Sequence, residues 1–270
     1  MPRTPGRRSP WPSDSWMGGS MAQLARNTGG AELLSEEKGI QASARLVIAC
    51  RVMEPELEQL RKEIPGVEVR YIEQALHRVP QNMAARVQEE IEKVQNIAGL
   101  IVLGYGLCSN GIVGVLAPPQ GLVVPRVHDC IGLFLGSLER YKSCFSERPG
   151  TYYLTPGWVA ESRDPLGILE EYKERYGQET ALWVMEEELK HYTHIALINS
   201  GVGDLERLRA RARANAEYFG KQYEEIPGDL SYLRKLLEGP YTERDFFFIA
   251  PGQKVTQERY LEEAMACACS

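Results

Sequence analysis

From about residue 44 onwards, apolar and polar positions fall into two repeating patterns. Short apolar runs, typical of buried parallel strands, cover residues 45–49, 67–72, 99–103 and 122–127. The segments between these runs carry apolar residues at helical spacing, as at Met83, Val87, Ile91 and Val94. Strands that alternate with helices through short links predict a parallel α/β sheet.

The same pattern restarts in the second half of the chain. Strand-like runs cover residues 194–199, 222–226 and 246–250, and helical segments at 204–219 and 230–238 lie between them. Both halves share this order of strands and helices, which indicates a degenerate internal duplication. The sequence therefore predicts an α/β protein of two Rossmann-like lobes with parallel sheets and a cleft between the lobes.

The predicted domain boundaries lie where these patterns begin and end. Residues 1–43 are rich in Pro, Ser and Gly and predict a disordered N-terminal tail. Residues 44–150 form the first α/β lobe and residues 193–255 the second, with a helical crossover at 151–192. Residues 256–270 predict a C-terminal helix and tail.

Composition and charge narrow the classes of function. A formal net charge of −6 and the lack of a basic arm argue against nucleic-acid binding, and the arginines at 207–213 indicate a solvated helix face. No apolar run reaches the ~18 residues of a membrane span, and the N-terminus lacks the apolar segment of a secretory signal. We therefore expect a cytoplasmic protein, in which six cysteines favour metal binding or catalysis over disulfides.

Cysteine and histidine residues follow four successive predicted strands, at the point where each strand ends. The carboxyl ends of parallel strands meet at one edge of the sheet, which is where α/β proteins bind ligands. We therefore expect these side chains to lie close together: Cys50, His77, Cys108, His128 and Cys130.

Three thiols and an imidazole are a ligand set for tetrahedral zinc, and we predict Cys50, Cys108, His128 and Cys130 as metal ligands. Zinc would keep a thiolate ionised near neutral pH, so Cys108 is the predicted catalytic residue, with Tyr105 orienting the substrate. Two alternatives stay open. Cys108 could act as a nucleophile without metal, or the cysteines could simply pack in the core.

The glycine-rich segment 104–111 has a second interpretation as an anion cradle. We predict that its residues bind a cofactor through backbone N–H groups, together with a wall from the second lobe. These residues are Gly104, Gly106, Ser109, Asn110 and Gly111 in the first lobe and Ser200 and Gly201 in the second. We expect Cys144 to pack in the core. We interpret Cys267 and Cys269, in the C-terminal tail, as residues without a role in the site. His77 fits a surface role as well as a ligand role.

Three motifs carry a resemblance to a known family: GYGLCSNG at 104–111, HDCIG at 128–132 and TPGW at 155–158. Together they make the chain similar, over about residues 45–252, to domain-of-unknown-function family 1638 of anaerobic bacteria and archaea. Its genes often neighbour corrinoid-dependent methyltransferases, so the resemblance implies one-carbon or corrinoid chemistry and a corrinoid protein or methyltransferase as partner. It implies no catalytic residues.

The residues and the resemblance together predict a zinc-thiolate protein of one-carbon or corrinoid metabolism that transfers a methyl group to or from a zinc-activated thiolate and binds a small-molecule substrate. Two functions from other classes remain open. One is an iron–sulfur redox protein, whose cluster would colour the protein, whereas zinc is silent. The other is a non-catalytic accessory that binds a cofactor, such as a corrinoid held by a partner, without turnover.

Overall fold

The computed structural model describes residues 45–73 and 80–260. These residues form eight strands: β1 (Arg45–Cys50), β2 (Val67–Ile72), β3 (Leu100–Gly104), β4 (Leu122–Pro125), β5 (Thr151–Leu154), β6 (His194–Asn199), β7 (Gln222–Pro227) and β8 (Phe246–Ile249). The helices are α1 (Glu54–Arg61), α2 (Pro80–Val94), α3 (Ile131–Phe134), α4 (Leu138–Glu147), α5 (Pro156–Ala160), α6 (Pro165–Tyr176), α7 (Gln178–Leu189), α8 (Leu205–Tyr218) and α9 (Ser231–Glu238). A 3₁₀ turn, Arg51–Met53, joins β1 to α1.

The first sheet contains five strands in the order β2-β1-β3-β4-β8. Strands β2, β1, β3 and β4 are parallel, as the alternation of strands and helices predicts. Residue Arg45 of β1 lies opposite Val67 on one side and Leu100 on the other, so these three strands start level with one another. Their carboxyl ends therefore meet at one edge, which confirms the mixed α/β, Rossmann-like architecture.

Strand β8 differs from the prediction, which placed residues 246–250 in the second lobe. It pairs antiparallel with β4, with Phe246 opposite Pro125 and Ile249 opposite Leu122. Phe246 and Ile249 are almost fully buried there, because β4 offers a free edge beside the main core. An apolar run does not encode which edge it will join or in which direction.

The second sheet contains three parallel strands in the order β5-β6-β7. Its first strand, Thr151–Leu154, falls in the segment predicted as a crossover. Only its two ends, Thr151 and Leu154, are buried, and the run is four residues long. Residues 151–227 therefore form the second sheet and its helices, in place of 193–255.

The segment 131–145 is divided between two helices. The structure breaks it into α3 and α4 at Gly136, whose φ of 84° is in the left-handed region that favours glycine. Ser137 then caps α4, because its hydroxyl accepts a hydrogen bond from the N–H of Arg140 at 3.1 Å.

The main hydrophobic core covers both faces of the first sheet and includes residues from β1, β3, β4, β8 and α9. Ile198 of β6 belongs to the same core, and Trp158 of α5 packs against both this core and the smaller one around β6 and α8. Among the residues described, no helix has the length and apolar character needed to cross a bilayer.

The predicted arginine-rich face on α8 is held by ion pairs. Arg209 contacts Glu225 of β7 at 2.9 Å, and Arg211 contacts the buried Asp164 at 2.8 Å. These guanidinium groups therefore bind the protein's own carboxylates.

Candidate functional site

Two cysteines meet where the loops after β3 and β4 run side by side. The Sγ atoms of Cys108 and Cys130 lie 3.5 Å apart, within hydrogen-bonding distance for thiols. The backbone brings them together, since the N–H of Cys108 donates to the carbonyl of His128 at 2.9 Å. Strand order and loop pairing therefore position this thiol pair at the carboxyl edge of the first sheet.

Cys50 and Tyr105 belong to the same group of side chains. Cys50 ends β1 and Tyr105 follows β3, and the pKa of each is raised first by burial and then by the charges of the cysteines around it. The side chains of Cys50, Cys108 and Cys130 are 0%, 7% and 3% exposed, so solvent hardly reaches them. We call Cys50, Cys108, Cys130 and Tyr105 the thiol cluster.

The electrostatics of the thiol cluster oppose ionisation. The hydrogen bond to Cys130 raises the pKa of Cys108 most, followed by burial and by the charges of Cys130, Cys50 and Asp129. Asp129 is held in place by hydrogen bonds from the Tyr141 hydroxyl at 2.6 Å and the Ile131 N–H at 2.7 Å. Without a nearby cation, Cys50 and Cys108 are therefore protonated at neutral pH.

The backbone of the loop after β3 is strained. Cys108, Ser109 and Asn110 have φ angles of 49°, 54° and 67°, three successive non-glycine residues in the left-handed region. That conformation costs roughly 1–2 kcal/mol per residue, and such strain clusters at functional sites. The surrounding contacts therefore hold Cys108 in a conformation that its own preferences oppose.

The predicted cofactor-binding glycines have tight packing around them. A Cβ on Gly106 would lie 2.7 Å from the backbone of Asp129, and one on Gly104 would lie 2.7 Å from Cβ of Ala49. The N–H of Gly111 donates to the carbonyl of Cys108 at 3.0 Å, so that amide is already used. Gly106 lets the two loops approach and Gly104 lets β3 pack closely against Ala49 of β1. An anion cradle at Ser109 and Asn110 stays a prediction.

The imidazole of His128 lies beside the ring of Tyr260. It lies 6.3 Å from the ring of Tyr260, measured between centroids, and its pKa is lowered by burial and then by Lys142. Within residues 45–73 and 80–260, no three His, Cys, Asp or Glu side chains are arranged closely enough to hold a metal ion. The structure therefore supplies a close thiol pair with a third thiol nearby, and not a preformed four-ligand site.

Ser200, predicted as part of the second-lobe wall, contacts an acid that the sequence did not single out. Its hydroxyl donates to Oε1 of Glu56 at 2.9 Å, joining the carboxyl ends of β6 and β1. Glu56 is fully buried, and burial raises its pKa to about 7, against the effects of Ser200 and of its own N–H. Gly201, at φ 74°, donates its N–H to Oδ1 of Asn199 at 2.9 Å.

A glycine of the TPGW motif also positions this edge. A Cβ on Gly157 would lie 1.8 Å from the carbonyl oxygen of Val52, so only glycine lets α5 rest on the turn after β1. Thr155, fully buried, caps α5, and Trp158 packs edge-on to Phe134 at 6.1 Å. The motif is therefore a packing device beside Cys50.

Several predicted features lie outside the described residues. These are the N-terminal tail before residue 45, His77 in the segment 74–79, and Cys267 and Cys269 beyond Tyr260. Cys144 lies in α4 and is partly exposed, and it lines a shallow cavity of about 190 Å³ beside β7. A larger cavity of about 350 Å³ lies between α7 and α8. Neither cavity includes the thiol cluster.

The fold and the cluster define an α/β protein with buried thiols at the ligand-binding edge of its main sheet. The family described as "protein of unknown function (DUF1638)" matches residues 71–237, more than half of the chain. The protein therefore belongs to the DUF1638 family. Searches of curated proteins and of solved structures found no match to this chain.

Proposed function

We propose that the thiol cluster is a binding centre for a thiophilic metal ion, with zinc as that ion. The observation that carries the proposal is the 3.5 Å separation of the Cys108 and Cys130 Sγ atoms. Two thiolates on one zinc, each ~2.3 Å from the metal at a tetrahedral angle, lie about 3.8 Å apart. The pair therefore needs only a small adjustment to supply two ligands.

Cys50 is the third ligand in this proposal. The charge of Cys130 raises the pKa of Cys50, the charge of Cys50 raises that of Cys108, and all three thiols act on Tyr105, which supports a place for Cys50 near the pair. Cys50 must move towards the pair to ligate the metal, since the described residues hold no preformed three-ligand group. His128 is the predicted fourth ligand, and its imidazole would have to turn away from Tyr260.

The charges around the cluster favour a cation. Cys108 would ionise beside Cys50, Cys130 and Asp129, and each of those negative charges opposes its ionisation. A divalent cation reverses that balance, because a thiol that coordinates a metal loses its proton. Burial strengthens the effect, since charges interact more strongly away from water.

Methyl transfer is the reaction that we propose for this centre. Zinc would keep the sulfur of Cys108, the predicted catalytic residue, ionised. That thiolate would attack the methyl carbon. A new S–C bond forms, and the bond to the methyl donor breaks with its electron pair left on the donor. We propose a corrinoid protein or its methyltransferase as the partner that supplies or accepts the methyl group. The burial of all three thiols means that a substrate reaches them only after local opening.

The test is metal analysis of the full-length protein prepared without oxygen. We expect about one zinc per chain in the wild type, and a fall to less than a fifth of that in Cys108→Ser and in Cys130→Ser. Cys144→Ser is the matched control, because this thiol lies in α4 away from the cluster, and it should keep the wild-type zinc content. Circular dichroism shows that each variant is folded.

Each of four other outcomes would lead to a different conclusion. Metal at wild-type level in both Cys108→Ser and Cys130→Ser would reject the centre, as would a metal-free wild type that binds no added zinc. Iron with a broad visible absorption band would keep the ligands but make the protein an iron–sulfur redox protein. Zinc without methyl transfer to or from corrinoid and thiol partners would leave a non-catalytic accessory.

A further inference from the structure

Arg51, the residue directly after Cys50, has one guanidinium nitrogen without a hydrogen-bond partner. Its Nε is buried and has no hydrogen-bond partner in the part of the chain that the structure describes. A buried donor left unpaired is destabilising, so proteins seldom keep one without a use. Arg51 begins the 3₁₀ turn that leads from β1 into α1.

A second buried atom lacks a partner on the same junction. Glu56, in the first turn of α1, is fully buried and accepts from Ser200 through Oε1. Its other oxygen, Oε2, has no hydrogen-bond partner among the residues described. One strand–turn–helix junction therefore carries an unpaired donor and an unpaired acceptor within six residues.

The junction lies where α/β sheets bind their ligands. In the order β2-β1-β3-β4, β1 and β3 are neighbours whose onward connections go to opposite sides. This topological switch opens a crevice outside the carboxyl ends of β1 and β3. Arg51 follows β1, and the loop of Cys108 follows β3, so the arginine and the thiols belong to the same edge.

We propose that Arg51 binds the anionic group, a carboxylate or a phosphate, of a small molecule lodged at the carboxyl end of β1. Its planar fork of N–H donors matches both groups in a bidentate manner. Oε2 of the buried Glu56 forms a hydrogen bond with the same ligand. The charge must come from Arg51, because acids occupy the first turn of α1 and its terminus does not itself attract anions.

The ligand assigned in this way would lie next to Cys50, so the inference names a substrate class for the proposed metal-thiolate site. It rests on the position of that site and not on its metal. Anion binding can therefore be measured on metal-free protein, and its failure is distinguishable from the failure of zinc binding.

The experiment titrates full-length, reduced, metal-free protein with inorganic phosphate or acetate, at constant ionic strength in chloride, and follows the melting temperature. We expect a saturable rise with at least one anion, since a ligand that binds only the folded state stabilises it. A rise with phosphate but not with acetate indicates a phosphorylated ligand. A rise with acetate but not with phosphate indicates a carboxylic acid. Arg51→Gln should weaken the binding at least tenfold, and Arg51→Lys should recover part of it.

Arg207→Gln is the control, because Arg207 is an exposed arginine of α8, and it should bind as the wild type does. Without anion, Arg51→Gln should melt no lower than the wild type, since it removes an unpaired buried donor. A lower melting temperature there would make Arg51 a structural residue and overturn the inference. So would equal anion binding in Arg51→Gln and the wild type, or no saturable response of the wild type to either anion.

Discussion

We expect Gly157→Ala to destabilise the protein by roughly 3 kcal/mol or more, although alanine is normally the better residue in a helix. The added Cβ would lie 1.8 Å from the carbonyl oxygen of Val52, and backbone cannot turn aside as a flexible side chain can. Helix α5 must then lift from the turn after β1, which also loosens Trp158 between the two cores. Thermal unfolding by circular dichroism measures the effect.

Gly132→Ala provides the control for this prediction. Gly132 also lies in a short buried helix, but its added Cβ would meet side chains and not backbone, with the nearest atom a methyl carbon of Val127 at 3.0 Å. We expect a loss of less than about 1 kcal/mol, because that methyl can shift slightly. Similar melting temperatures for Gly157→Ala and the wild type would mean that α5 does not rest on Val52.

The second large effect concerns pH. Burial raises the pKa of Glu56 from its ordinary value of 4.5 to about 7. In the unfolded chain the carboxyl loses its proton near pH 4.5, whereas the folded protein keeps it until about pH 7. The stability that the neutral carboxyl provides is therefore complete below pH 4.5 and is lost as the pH rises to 7. The shift corresponds to roughly 3 kcal/mol.

Glu56→Gln should remove this dependence, because glutamine stays neutral and its amide oxygen can still accept from Ser200. We expect the free energy of unfolding of Glu56→Gln, relative to wild type, to rise by roughly 3 kcal/mol between pH 4.5 and pH 8. Urea unfolding of both proteins at matched pH values measures the difference. A constant difference across that range would show that Glu56 is ionised in the folded protein.

Glu58→Gln lies on the same helix, and its stability should depend on pH in the opposite direction. Its free energy of unfolding, relative to wild type, should fall as the pH rises. Burial pushes the pKa of Glu58 up, but the hydrogen bonds from Tyr71 and Arg61 outweigh burial and lower it. Its carboxylate therefore stabilises the protein above its ordinary pKa, and this contribution is lost as the pH falls. The effect should be small, because the side chain is 41% exposed.

The architecture of the first sheet could be predicted because buried parallel strands are continuous apolar runs. Leu46 to Ala49 and Ile101 to Leu103 have no exposed surface, and their sequences carry that signal directly. The sheet that β5 joins and the sheet that β8 joins could not be predicted in the same way. Pairing partners are chosen by edges that exist only once the sheet has formed, and no local pattern records them.

The candidate site could also be predicted only in part. The rule that parallel strands end at one edge predicted that Cys50, Cys108 and Cys130 would converge, since it needs only strand positions. The direction of the His128 imidazole depends on its loop, and the sequence holds no signal for it. Glu56 looked like an ordinary acid of a first helical turn. In the folded protein it is buried and accepts a hydrogen bond from Ser200, 144 positions further along the chain.

The return of the chain to β4 has a consequence for synthesis. The outer edge of β4 stays unpaired until β8 emerges, roughly 120 residues later, which at 5–20 residues per second is roughly 6–24 s on the ribosome. An open strand edge is a template for pairing with other chains. The nascent protein therefore passes through a stage in which its main sheet is complete but for one strand, and in which neighbouring ribosomes on one messenger carry chains able to pair wrongly.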